Sequence, residues 1–147
     1  MKARKGFTLV ELLIVMAIIA ALMAVLIPMA GGAMKKARAT KIAVQLRNFE
    51  QGVEQYILSI LPSESDVTRI NDAIIANKGF AEDPDPNNSN LTLTPDTGNN
   101  KITIQITYST GDNTLAQLVE GSLKDAYETS VSGGDITIVA TVDAFWW

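Results

Sequence analysis

The sequence contains neither cysteine nor histidine in its 147 residues. That excludes disulfides, thiol nucleophiles, Cys/His zinc sites and histidine acid–base chemistry together. It leaves the compartment open, because an oxidising environment permits disulfides without requiring them. No glycine-rich phosphate loop is present either, so the sequence offers no catalytic or cofactor-binding apparatus. Acid is nearly missing from the first third. Residues 1–47 hold eight of the twelve Lys/Arg and a single acid, Glu11, whereas residues 48–147 hold four Lys/Arg against fifteen Asp/Glu. A basic stem thus precedes an acidic body, and that body is a poor candidate for wrapping nucleic acid. The length suits one ordinary domain and little more.

What the first third does have is a long hydrophobic run. From Phe7 to Ala30 only Thr8, Glu11 and Pro28 interrupt it, and Leu12–Ile27 is unbroken. A bilayer core about 30 Å thick needs roughly 20 apolar residues as a helix, a length this run meets. Three positive charges (Lys2, Arg4, Lys5) and no acid precede it, which favours a cytoplasmic N-terminus. Lys35, Lys36, Arg38 and Lys41 flank the far side, so charge alone orients the helix weakly. A secretory signal with Gly31-Gly32-Ala33 as its cleavage site is one competing reading, and a plain single-pass anchor is another. An acid inside an apolar span costs about 2.5–3.5 kcal/mol at a helix centre and less near its start. Glu11 therefore needs a partner, which neither competing reading supplies.

Lys5-Gly6-Phe7-Thr8-Leu9-Val10-Glu11-Leu12, continuing through Ile14-Val15 to Pro28, resembles the class III leader junction of type IV pilins and type II secretion pseudopilins. The resemblance covers about the first 35 residues and is one of layout beyond them. It implies a leader, residues 1–6, cut by a prepilin peptidase between Gly6 and Phe7, with N-methylation of Phe7. It implies that Glu11, with Phe7 and Thr8 beside it, serves assembly by neutralising the Phe7 ammonium of a neighbouring subunit. A charge pair in a low-dielectric helical core is worth far more than one in water, and an unpaired Glu11 would be expensive there, so the pair would also enforce register. Cutting removes three positive charges and takes the net charge from −4 to −7. Pro28, which lacks an amide donor, with Gly31 and Gly32 just beyond, is expected to kink or loosen the helix. The implied partners are the chain itself, other pilins, the peptidase, and an inner-membrane assembly platform and motor.

Past Lys35 the pattern becomes amphipathic. Ile42, Leu46, Phe49, Val53, Tyr56 or Ile57, and Ile60 form one helical stripe that ends before Pro62, with Lys/Arg and Glu on the other face. The expected segments are thus 7–30 as the transmembrane and assembly half of one helix, 31–61 as its amphipathic half, and 62–147 as a globular head. In the head, a helix is expected over 66–77 with Gly79 as its stop, then a loop through Glu82–Asn90. Leu91–Thr94 and Ile102–Tyr108 alternate at period two and read as a hairpin across 95–100. A helix over 115–127 and a strand over 136–142 follow, and Phe145-Trp146-Trp147 are candidates to pin the C-terminus in place of a disulfide. The fold class is α+β: a long N-terminal helix packed on a small antiparallel sheet.

Asp83, Asp85, Asn87 and Asp96 carry oxygens of the kind Ca²⁺ takes. Their spacing does not match the twelve-residue calcium loop, and a solvated acidic turn is the better reading. Asn87 and Asn90 begin glycosylation sequons, a pattern common by chance. The reading that results is a filament subunit and not an enzyme, needing no cofactor, inserted in the inner membrane and then moved to an extracellular or periplasmic filament serving adhesion, twitching or DNA uptake. The alternatives are a type II secretion pseudopilin and, from another class, an exported soluble binding module released after Ala33.

Overall fold

The computed structural model describes residues 6–144. Two units result, one ending at Lys35 and one beginning at Lys36. Helix α1 spans Leu9–Ile60 and contains Pro28. Its assignment is continuous through Pro28, Gly31 and Gly32, so the isolated chain shows no break there. It stops where Leu61 adopts a left-handed φ of 49°, with Pro62 following, because the residue before a proline is pushed out of the helical region.

In the second unit α1 buries Ala39, Ala43, Leu46, Phe49, Val53, Tyr56 and Ile57. The expected stripe holds at its centre, while Ile42 is only partly buried and Ile60 is exposed. Glu50 departs from the expectation of an outward acid, being only 5% exposed. Gly52 is buried for a steric reason. A Cβ there would lie 2.4 Å from Ala81 Cβ and 2.9 Å from the Phe80 carbonyl oxygen. The missing side chain lets the 80–81 segment cross α1 directly, and Phe80 then meets Tyr56 edge-on with centroids 5.3 Å apart.

The single helix expected over 66–77 is instead two, α2 (Glu64–Val67) and α3 (Asp72–Asn77). Asn71 sits extended between them and caps α3, its side chain accepting from Ile74 N at 3.0 Å. Asparagine competes for local backbone donors and so favours a cap over a helix interior. Gly79 stops α3 at φ 76°.

The sheet has four antiparallel strands in the order β1-β2-β4-β3: Ser89–Asp96, Lys101–Ser109, Asp135–Asp143 and Glu128–Ser132 respectively. Leu91, Leu93, Ile102, Ile104, Ile106, Ile136 and Ile138 face the same core as α1. Helix α4, Asn113–Leu123, adds Leu115, Val119 and Leu123 and starts on Asp112, whose carboxylate accepts from Thr114 N at 2.9 Å. It ends four residues earlier than expected because the chain turns into β3. That strand was not expected from a Ser/Thr-rich stretch, although Gly133-Gly134, both at positive φ, is a two-residue hairpin signature. On the outer side of β1, Leu91 N donates to Asp72 of α3 at 3.0 Å. The observed layout is the α+β arrangement of a long N-terminal helix with a small antiparallel sheet.

Candidate assembly site at the N-terminal helix

The first turn of α1 is built by two residues reading each other. Thr8 N donates to Glu11 Oε2 at 2.9 Å, and Glu11 N donates to Thr8 Oγ1 at 3.3 Å. This is a capping box, in which two backbone donors that the helix cannot satisfy are satisfied reciprocally. The Thr-x-x-Glu spacing is the signal of this box in the sequence. The acid also lies at the positive end of the helix dipole, where negative charge is favoured. Glu11 is thus partnered within its own chain.

Around this box the helix surface through Met29 is apolar and exposed. Phe7 is 93% exposed, and every large side chain from Leu9 to Met29 is exposed. α1 is long and apolar enough to cross a membrane, and its most apolar window is wholly unburied by protein. Gly6 has open space around it, as do Gly31 and Gly32. Phe7, Thr8 and Glu11 therefore fall together at one end of the helix, while Pro28, Gly31 and Gly32 lie within it, about five turns along.

The other residues singled out in the sequence have local roles. Asp83 accepts from Asp85 N at 3.1 Å and Ser89 Oγ at 2.5 Å. Asp85 accepts from Asn87 N and Asn88 Nδ2. Both carboxylates hold the turn leading into β1. Asp96 stands at the opposite end of that strand, where the Asn99 side chain holds its carboxyl below the usual range. Among the described residues no three acids converge on a metal position. Asn87 and Asn90 are exposed. Phe145, Trp146 and Trp147 lie outside the described residues.

One pair was not legible in the sequence. The Glu50 carboxylate of α1 accepts from the Tyr127 hydroxyl at 2.9 Å, across 77 residues. Burial pushes Glu50 above the usual carboxylate range; the Tyr127 hydroxyl partly offsets this and Glu54 adds to it. Burial and the neighbouring carboxylate push Tyr127 to about 12. The bond ties α1 to the segment joining α4 and β3.

Comparison with known proteins agrees with this arrangement. The prokaryotic N-terminal methylation motif matches residues 1–27. Fimbrial protein EcpB of Eikenella corrodens is 32% identical over 124 residues, covering 80% of this chain and 76% of that protein. The likeness therefore extends well past residue 35 and is not confined to the leader. No solved structure matches the chain. With a methylation motif, a fimbrial relative along most of its length and a long helix on a small antiparallel sheet, the chain belongs to the type IV pilin family of fimbrial proteins, which are structural rather than catalytic.

Proposed function

We propose that this chain is a subunit of a type IV pilus-like filament, inserted in the inner membrane with its N-terminus in the cytoplasm. A prepilin peptidase cuts it between Gly6 and Phe7, Phe7 is N-methylated, and the subunits polymerise through the apolar half of α1. The observation that carries this reading is an exposed apolar helix with one acid, Glu11, in its first turn, the fifth residue past the Gly6–Phe7 junction. Buried among copies of itself, such a helix loses its lipid contacts and keeps one charge. The ammonium created on a neighbour's Phe7 has the opposite sign and the right depth to meet it. Pro28, Gly31 and Gly32 supply the weak point at which α1 loosens once packed.

The fimbrial relative favours a pilus over a secretion pseudopilus, which shares the same assembly chemistry. The intact mass of the purified protein tests the processing step. A chain beginning at methylated Phe7 is expected. One beginning at Met34 would identify a soluble exported protein and remove the filament reading. Loss of long surface fibres on deletion, with secretion unaffected, is the expected outcome that separates pilus from pseudopilus.

A further inference from the structure

The second unit carries eight Lys/Arg against fifteen Asp/Glu, yet one groove in it is lined by cations. Arg38 and Lys41 stand three residues apart on α1 and so share a face. They line an open surface groove of about 340 Å³, whose lining also includes Asn88, Tyr108 and Ser109. Among the described residues neither cation has a carboxylate within 4.0 Å. The half-buried Tyr108 hydroxyl and the Ser109 hydroxyl have no hydrogen-bond partner there either. Ile42 and Leu115 give the cavity an apolar portion. Asp85 is near enough to help raise Tyr108, after burial, but its carboxylate is engaged by Asn87 N and Asn88 Nδ2.

Uncompensated cations beside unpartnered hydroxyls and an apolar wall can hold a small polar ligand at the surface, and the volume falls in the usual range of about 300–1,000 Å³ for ligand sites. We propose that this groove binds a small polyhydroxylated anion, a sugar phosphate or sugar carboxylate. Arg38 and Lys41 hold the anionic group, while Tyr108, Ser109 and Asn88 exchange hydrogen bonds with the hydroxyls. Charge-assisted bonds to guanidinium and ammonium are the strong contacts in such a set, and the neutral ones orient the ring. The surrounding acids do not forbid it, since at physiological ionic strength screening acts within about 8 Å and the ligand senses mainly the nearest charges.

The test is calorimetric titration of the full chain in a zwitterionic, sugar-free detergent with glucose 6-phosphate, glucuronate, glucose and inorganic phosphate. Saturable binding is expected for glucose 6-phosphate or glucuronate, and whichever binds names the anionic group. Glucose and inorganic phosphate should each bind at least tenfold more weakly. Arg38→Gln with Lys41→Gln should abolish binding. Both residues are exposed and glutamine is a good helix former, so circular dichroism should confirm an unchanged fold. Tyr108→Phe should weaken the sugar ligands several-fold and leave phosphate unaffected. Failure of both sugar anions to bind, undiminished binding by the double variant, or phosphate binding as tightly as glucose 6-phosphate would each overturn the proposal.

Discussion

Replacing Gly52 by alanine should destabilise the second unit, against the usual direction of that change in a helix. In a helix interior alanine outranks glycine by about 0.5–1 kcal/mol. At Gly52 the new methyl would stand 2.4 Å from Ala81 Cβ, 2.9 Å from the Phe80 oxygen and 3.1 Å from the Phe80 carbonyl carbon. Unstrained carbon–carbon contacts are about 3.5–4.0 Å, so the 80–81 backbone must retreat by roughly an ångström or more. Overpacking of this kind costs about 1–3 kcal/mol, and displacing Phe80 weakens its contact with Tyr56, worth about 0.5–1.5 kcal/mol. The helix gain does not offset this, and the net loss should be about 1–3 kcal/mol. Gly121 in α4 is the control, because a Cβ there meets nothing within 4 Å. Gly121→Ala should stabilise by about 0.5–1 kcal/mol. Urea denaturation of the full chain, followed by near-ultraviolet circular dichroism, reads the difference. If Gly52→Ala raises stability as much as Gly121→Ala does, the argument from close approach is wrong.

Glu11→Ala should leave membrane insertion intact while filaments become scarce or out of register, with normal filament yield by electron microscopy as the contrary result. Gly6→Val should block processing, so that only the longer precursor appears on a gel; a mature-sized band would refute close peptidase access at that residue. Glu50 has a raised carboxyl in the folded state, so the stability it contributes is present below the ordinary carboxylate range and lost as pH rises through its folded value. Glu50→Gln keeps an acceptor for Tyr127 without the buried charge. Its stability relative to the parent should therefore rise between acid and neutral pH in parallel thermal melts, and a flat difference would refute the assignment. Tyr127→Phe removes the donor from a buried carboxylate and should cost about 1–3 kcal/mol.

Periodicity exposed the elements whose apolar spacing has a single meaning. The Leu46–Ile57 stripe, the β1–β2 hairpin and β4 all alternate cleanly, because one face of each is buried in the shared core. β3 is poorly legible because it is an edge strand of Ser and Thr with little apolar contrast, leaving only its Gly-Gly turn as a signal. The split between α2 and α3 depends on Asn71 capping, a choice between two local hydrogen-bond patterns that spacing does not resolve. At the candidate site, Gly6, Phe7 and Glu11 are legible as types in a pattern, and the Thr8–Glu11 reciprocity is carried only by the Thr-x-x-Glu spacing. Glu50 was not legible. Its partner Tyr127 lies 77 residues away, and a glutamate on an amphipathic helix gives no hint of it.

The bond from Leu91 N to Asp72 has a bearing on aggregation. An exposed strand edge is an adhesive surface, ready to pair with any other edge it meets. Subunits that polymerise bring their sheets to very high local concentration, where edge-to-edge fusion would compete with ordered growth. Here the β1 edge has a backbone donor occupied by a carboxylate from α3. The other edge, β3, is only five residues long and carries Glu128 at its start. A short, charged edge and one with a backbone donor already engaged both discourage strand pairing between heads. Weaker edge pairing would leave the proposed helix-directed association with less competition.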